Sequence, residues 1–158
     1  YLATYTFMVI GSFAVISLNS GPEGNRTDLG SLTGLANRKP MLAIAFTIFL
    51  LGQAGIPLTS GFFAKFYVIE AVIEERSFGL AIVAMLAAVI GAFLYLRILT
   101  KVWLIDLETN DEDQNTITIP KQVSFVLLLA TIVTLFLGIW PEPLVEMAQR
   151  AVPILRAG

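Results

Sequence analysis

The residue with the clearest chemical potential in this sequence is a lysine that lies within an apolar stretch. Lys65 follows 25 residues, Pro40 to Ala64, that carry no charge. Eleven helical residues separate it from Arg76, which we place at a membrane interface, so Lys65 would lie about 16 Å deep, half of a bilayer core. A charge at that depth costs about 2.5–3.5 kcal/mol and usually marks an ion path or a proton relay. Lys65 is therefore a candidate proton-relay residue.

A helix breaker precedes this lysine. Pro57 has no N–H to donate, and its ring would clash with a carbonyl of the preceding helical turn. Gly55 and Gly61 flank it and lower the helix propensity further. We predict two half-helices, 40–54 and 60–75, joined by a non-helical turn. Broken helices at mid-membrane line cavities or are buried in protein, and transporters place ion sites there.

A structural role for Lys65 is the main alternative. The lysine would then pair with a carboxylate from another helix, or lie closer to the membrane surface. Glu70 is a poor partner, because five helical positions correspond to about 140° of rotation. Gln53, Thr59 and Ser60 are expected to satisfy backbone groups that the proline leaves free, or to hold water.

The elements that carry these residues belong to a membrane protein. Charged residues make up 14% of the 158 residues, against about 25% in a soluble domain. Four windows of 20 or more residues contain no charge, and about 20 apolar helical residues cross a bilayer. We predict an all-α, polytopic transmembrane helix bundle with about four spans, one of them broken. The predicted helices are 1–20, 40–54, 60–75, 78–105 and 122–140.

The connecting segments are polar. We predict a loop at 22–39, an acidic loop at 106–121 and an amphipathic tail at 142–156. Six basic residues flank the two loops and three lie on the other side, which predicts that the loops face the cytoplasm. Seven glycine and alanine residues between 79 and 92 predict close packing of the third long helix against other helices.

Composition excludes several classes of function. The sequence contains neither cysteine nor histidine, which excludes zinc fingers, Cys-ligated iron–sulfur clusters and Ser-His-Asp catalysis. The net charge is −2, and no basic stripe indicates a nucleic-acid partner.

Several motifs resemble one known family. The stretch 50–67, LLGQAGIPLTSGFFAKFY, resembles the broken-helix signature of the antiporter-like subunits of respiratory complex I, and most closely the N-type subunits. Three further stretches agree with the resemblance, namely GLA at 34–36 before Lys39-Pro40, YLR at 95–97 and LGIWPEPL at 137–144. Ala64 departs from the pattern, because glycine is common at its position.

The resemblance implies a role for Lys65 in proton translocation. M-type subunits typically have glutamate at this position and L-type subunits have lysine followed by aspartate, whereas here Phe66 and Tyr67 follow, as in the N type. Residues 1–158 would be the C-terminal part of an antiporter-like proton-translocating membrane domain. The domain would belong to NADH:quinone oxidoreductase, a translocase whose electron transfer occurs in other subunits.

The same resemblance implies the surroundings of the chain. No cofactor and no redox chemistry are expected in it. Its partners would be other membrane subunits of the respiratory complex, the lipid bilayer and protons, in a bacterial plasma membrane. Two alternatives stay open at this point. One is a subunit of a multisubunit cation/proton antiporter, which shares the broken-helix motif, and the other is a structural membrane scaffold with Lys65 in a static ion pair.

Overall fold

The chain folds into a bundle of helices. A computed structural model describes residues 1–20, 29–104, 119–143 and 145–147, and these ranges contain helices and no strand. The prediction of an all-α fold is therefore confirmed. The helices are α1 (Leu2–Ser20), a 3-10 helix (Leu29–Leu32), α2 (Leu35–Arg38), α3 (Pro40–Ala54), α4 (Ser60–Glu74), α5 (Phe78–Leu104) and α6 (Lys121–Ile139).

Three of these helices have the length and composition of membrane spans. They are α1, α5 and α6, with 19, 27 and 19 residues. The interrupted pair α3 and α4 has 15 residues in each half, about 22 Å at helical rise, which is less than a bilayer core of about 30 Å. One broken span between continuous ones is the predicted arrangement. The predicted acidic loop and the predicted tail fall mostly on 105–118 and 148–158, outside the described residues.

Helix α3 lies at the centre of the bundle and contacts all the other α-helices. Its Phe46 and Phe49 side chains are almost completely buried. Phe49 packs against Gly11 of α1 so closely that a Cβ atom at Gly11 would collide with the ring. The small residue thus allows α1 to approach α3. Large apolar side chains cover the outside of α5 and α6, as expected of surfaces that face lipid.

The described end of the predicted loop at 22–39 is folded onto the bundle. Leu32 and Leu35 are buried there, in the 3-10 helix and in α2. Gly34, between the two helices, has φ +67° and donates its N–H to the carbonyl of Lys101 on α5 at 3.2 Å. The polar residues of this segment predict a loop. The leucines spaced among them form an apolar face that packs onto the bundle, and the polar residues give no indication of it.

Candidate functional site

The end of α3 is closed by a glycine in the left-handed conformation. Gly55 has φ +84°, a value that strains residues with a side chain. Its N–H donates to the carbonyl of Gly52 at 3.0 Å, and the N–H of Ile56 donates to the carbonyl of Leu51 at 3.1 Å. This pair of bonds is a Schellman motif. Gly55 therefore ends the half-helix, and Pro57 follows where it keeps the helix from resuming.

The non-helical segment between the half-helices covers 55–59. Leu58 has φ +74°, which is unusual for a bulky residue, and its side chain is exposed. Thr59 donates its hydroxyl to the carbonyl of Ile56 at 2.6 Å, so Thr59 does satisfy a backbone group of the break. A Cβ atom at Gly138 of α6 would collide with the backbone of Leu58 and Thr59. Helix α6 thus packs directly onto this segment.

Gly61 lies inside α4 as its second residue, and not in the non-helical segment. A Cβ atom at this position would collide with the carbonyl of Gly52 on α3. Gly52 in turn lies against the Met8 side chain of α1. Gly61 therefore allows the backbones of the two half-helices to cross closely. Its low helix propensity does not predict this role.

Lys65 extends from the second turn of α4 back to the end of α3. Its Nζ donates to the carbonyl of Gln53 at 2.7 Å and to that of Ala54 at 3.1 Å. In a continuous helix the N–H groups of residues 57 and 58 would fill these carbonyls. Pro57 has no such N–H, and Leu58 is not helical. The lysine thus binds the negative end of the α3 dipole at the point where the break exposes it.

The lysine's acceptors differ from those of the structural alternative. In the described ranges, both hydrogen bonds of the Lys65 ammonium end on backbone oxygens and neither on a carboxylate. Among the described residues, the positive charge of Lys65 is thus held by carbonyl dipoles and not by an ion pair.

Gln53 connects the same site to α1. Its side-chain amide donates to the hydroxyl of Ser12 at 2.6 Å and to the carbonyl of Met8 at 3.3 Å. The side chain of Gln53 does not bond to backbone groups of the break, because its amide points to α1, and it is the backbone carbonyl of Gln53 that faces Lys65. The Ser60 hydroxyl lies 3.9 Å from the Met8 sulfur, a weak contact.

A pocket of about 270 Å³ lies beside Lys65, between α1, α4 and α5. Small residues of α5 line it, including Ala84, Ala88 and Gly91. The close packing predicted for the small α5 residues is not made on this face by the described helices, where these residues leave space, and it stays a prediction there. A Cβ atom at Gly79, near the start of the same helix, would likewise meet no other described atom within 4 Å. The space opposite Lys65 is large enough for water.

Two tyrosines complete the pocket wall. The hydroxyls of Tyr5 on α1 and Tyr95 on α5 lie 3.3 Å apart, and Tyr1 stacks on Tyr5 with ring centroids 5.4 Å apart. The residue types of Tyr5 and Tyr95 do not by themselves predict this pair. A signal was present on α5, because Tyr95 shares a helix face with Gly91, Ala88 and Ala84, at spacings of four, three and four residues.

The described residues include no group of three or more His, Cys, Asp or Glu side chains that is able to hold a metal ion. The described site instead offers groups that are able to carry protons. An ammonium group, two phenol hydroxyls and a pocket for water are the components of a proton path.

Comparison with known proteins identifies relatives over nearly the whole chain. Residues 1–91, which include the break and Lys65, match a family described as NADH:quinone oxidoreductase/Mrp antiporter, transmembrane. NADH-quinone oxidoreductase subunit N 1 of Solibacter usitatus is 34% identical over 99% of this chain. Subunit N of Acidothermus cellulolyticus is 38% identical over 99%, and that of Saccharopolyspora erythraea is 39% identical over 94%. The chain spans about 30% of the length of these relatives.

Proposed function

Because the chain belongs to the NADH:quinone oxidoreductase/Mrp antiporter transmembrane family, we propose that it is the C-terminal part of a proton-translocating N-type subunit of NADH:quinone oxidoreductase. Electron transfer in other subunits of the complex drives the translocation, and this chain carries no redox cofactor. The bacterial relatives favour the plasma membrane as its location.

The position of Lys65 at the helix break is the observation that carries the proposal. Its ammonium bridges the two half-helices through the carbonyls of Gln53 and Ala54. These hydrogen bonds are charge-assisted, so loss of the proton weakens them. Proton release therefore frees the Lys65 side chain to turn toward the adjacent pocket, and proton uptake restores the bridge. This cycle couples a protonation change to a movement at the break.

A cation/proton antiporter subunit is the second candidate, since the family description names Mrp antiporters. The relatives reported above, all called subunit N of NADH-quinone oxidoreductase, favour the first candidate. Sodium transport that proceeds without NADH oxidation would select the antiporter.

The test uses Lys65→Met and Lys65→Arg in the full-length subunit of the assembled complex. The Met variant retains an apolar stem and lacks the titrating group, so we expect normal assembly and loss of most proton pumping. The Arg variant keeps the charge but does not release its proton at accessible pH, so its pumping should also fall. Inverted membrane vesicles with a pH-sensitive dye report pumping, and the amount of complex in the membrane reports assembly.

Lys101→Met is the matched control. It makes the same chemical change in a lysine of the last turn of α5, away from the break, and should leave pumping intact. Full pumping by Lys65→Arg together with failed assembly of Lys65→Met would contradict the relay and favour a structural scaffold.

A further inference from the structure

One residue, Gln53, joins the lysine site to α1. The backbone carbonyl of Gln53 accepts from Lys65 Nζ at 2.7 Å, and the amide of the same residue donates to Ser12 and to Met8 on α1. The position of the Lys65 ammonium relative to α1 is therefore set through Gln53.

The link between Gln53 and α1 consists of hydrogen bonds to Ser12 and Met8. Both Gln53 Nε2 bonds are made, to the Ser12 hydroxyl at 2.6 Å and to the Met8 carbonyl at 3.3 Å. The Ser12 hydroxyl donates its proton to the same Met8 carbonyl at 2.9 Å. The lone pairs of the Ser12 oxygen are therefore free to accept a proton of the Gln53 amide. The directions of the three hydrogen bonds are consistent, and bonds connected in this way strengthen one another.

The link is also shielded from its surroundings. Gln53 is 7% exposed and Ser12 is 5% exposed, so water does not compete for their hydrogen bonds. The neighbouring Gly52 lies against the side chain of Met8. The end of α3 therefore has little room to move relative to α1 while the link is intact.

We propose that Gln53 and Ser12 are positioning residues for the proton relay, because they hold the carbonyl to which Lys65 returns after each transfer. The inference rests on the proposed function of Lys65. A purely structural clamp between two membrane helices is the alternative, since polar side chains often bond across such helices. The two roles differ in what the loss of one hydroxyl changes. A clamp affects assembly, whereas a positioning link affects pumping in complexes that have assembled.

Ser12→Ala is the decisive variant, because it removes one hydroxyl and adds no volume. We expect normal assembly and a reduction of up to about fivefold in pumping per assembled complex, because the loss of one ordinary hydrogen bond changes the population of the positioned carbonyl by about that factor. Ser12→Thr retains the hydroxyl and should restore pumping. Gln53→Met, which removes the donor at similar length, should reproduce the Ser12→Ala defect.

Ser31→Ala is the matched control. The Ser31 hydroxyl accepts the amide of Asn19 of α1 at 3.0 Å, so the variant removes a serine–amide bond of the same kind outside the lysine site. Its pumping per assembled complex should equal that of the unmodified protein. Equal defects in Ser12→Ala and Ser31→Ala, or a Ser12→Ala defect confined to assembly, would overturn the positioning role.

A double substitution separates this inference from the proposal on which it rests. If Ser12 acts through Lys65, Ser12→Ala should cause no further loss of pumping in a Lys65→Met background. An additional loss there would contradict the inference. Full pumping by Lys65→Met alone would refute the proposed function, whereas a defect in Lys65→Met with full pumping by Ser12→Ala would refute the positioning role alone.

Discussion

The interrupted pair α3–α4 and the continuous helix α5 are both apolar, and both contain glycines and a lysine, yet they differ in path. Helix α5 continues through Gly79 and Gly91 for 27 residues. The pair breaks at Gly55, where the glycine adopts φ +84° and Pro57 follows. Glycine alone therefore leaves a helix intact in this bundle. A break arises where a left-handed glycine, a proline and close packing coincide.

The two regions also use their lysines differently. Lys101 lies in the last turn of its own helix, where a cation is favourable to the dipole of that helix. Lys65 lies near the beginning of α4 and meets the end of the preceding helix. The break thus gives the interrupted pair a helix C-terminus inside the bundle, where a continuous helix has none. The ammonium group of Lys65 is held there by backbone carbonyls of α3.

Substitution of the glycines in the two regions should give the largest contrast. Gly61→Ala places a Cβ atom against the carbonyl of Gly52, and backbone on both sides limits relief. We expect a loss of at least about 1–3 kcal/mol in stability and little assembled complex. Gly79→Ala meets open space and should gain up to about 1 kcal/mol from helix propensity. The thermal stability and the yield of the purified complex are measured for each variant. Equal values for Gly61→Ala and Gly79→Ala would contradict the close crossing of α4 and α3 at Gly61.

Pro57→Ala should have an intermediate effect. The new N–H is able to donate to the carbonyl of Gln53 only if the chain becomes helical there, which would displace Lys65 from that carbonyl. Gly55 and the crossing at Gly61 oppose this change. We therefore expect normal assembly and a partial loss of pumping, smaller than that of Lys65→Met. Pumping per assembled complex is the measurement, and a failure to assemble would show that the proline itself holds the fold.

The sequence alone predicts the helices of this bundle well, because they follow from where charge is absent and where proline interrupts. The half-helix 40–54 has the predicted bounds, and α4 ends one residue before its predicted end at 75. The acceptors of Lys65 were not predictable in the same way. They depend on the chain turning back at Gly55, and backbone carbonyls leave no signature in residue types.

The pocket along one face of α5 was not predictable for a related reason. Small residues permit close packing, but they equally leave space when the neighbouring helix stays at a distance. Only the three-dimensional arrangement of α1, α4 and α5 decides between the two, and Ala84, Ala88 and Gly91 line a pocket. Tyr5 and Tyr95 are far apart in the sequence, so their meeting depends on the same arrangement.

The smallest effect is expected at this tyrosine pair, and it tests whether the pocket beside Lys65 takes part in proton transfer. The hydroxyls of Tyr5 and Tyr95 are 3.3 Å apart, longer than the usual 2.7–2.8 Å of such bonds, so Tyr95→Phe should cost less than about 1 kcal/mol in stability. Pumping per assembled complex should fall by about twofold, less than the fivefold that one ordinary hydrogen bond would cause. Tyr67→Phe removes a hydroxyl from a half-exposed tyrosine of α4 outside the pocket lining and should leave pumping unchanged. If Tyr95→Phe matches this control, the phenols are a contact between α1 and α5, and the proton path leaves Lys65 in another direction.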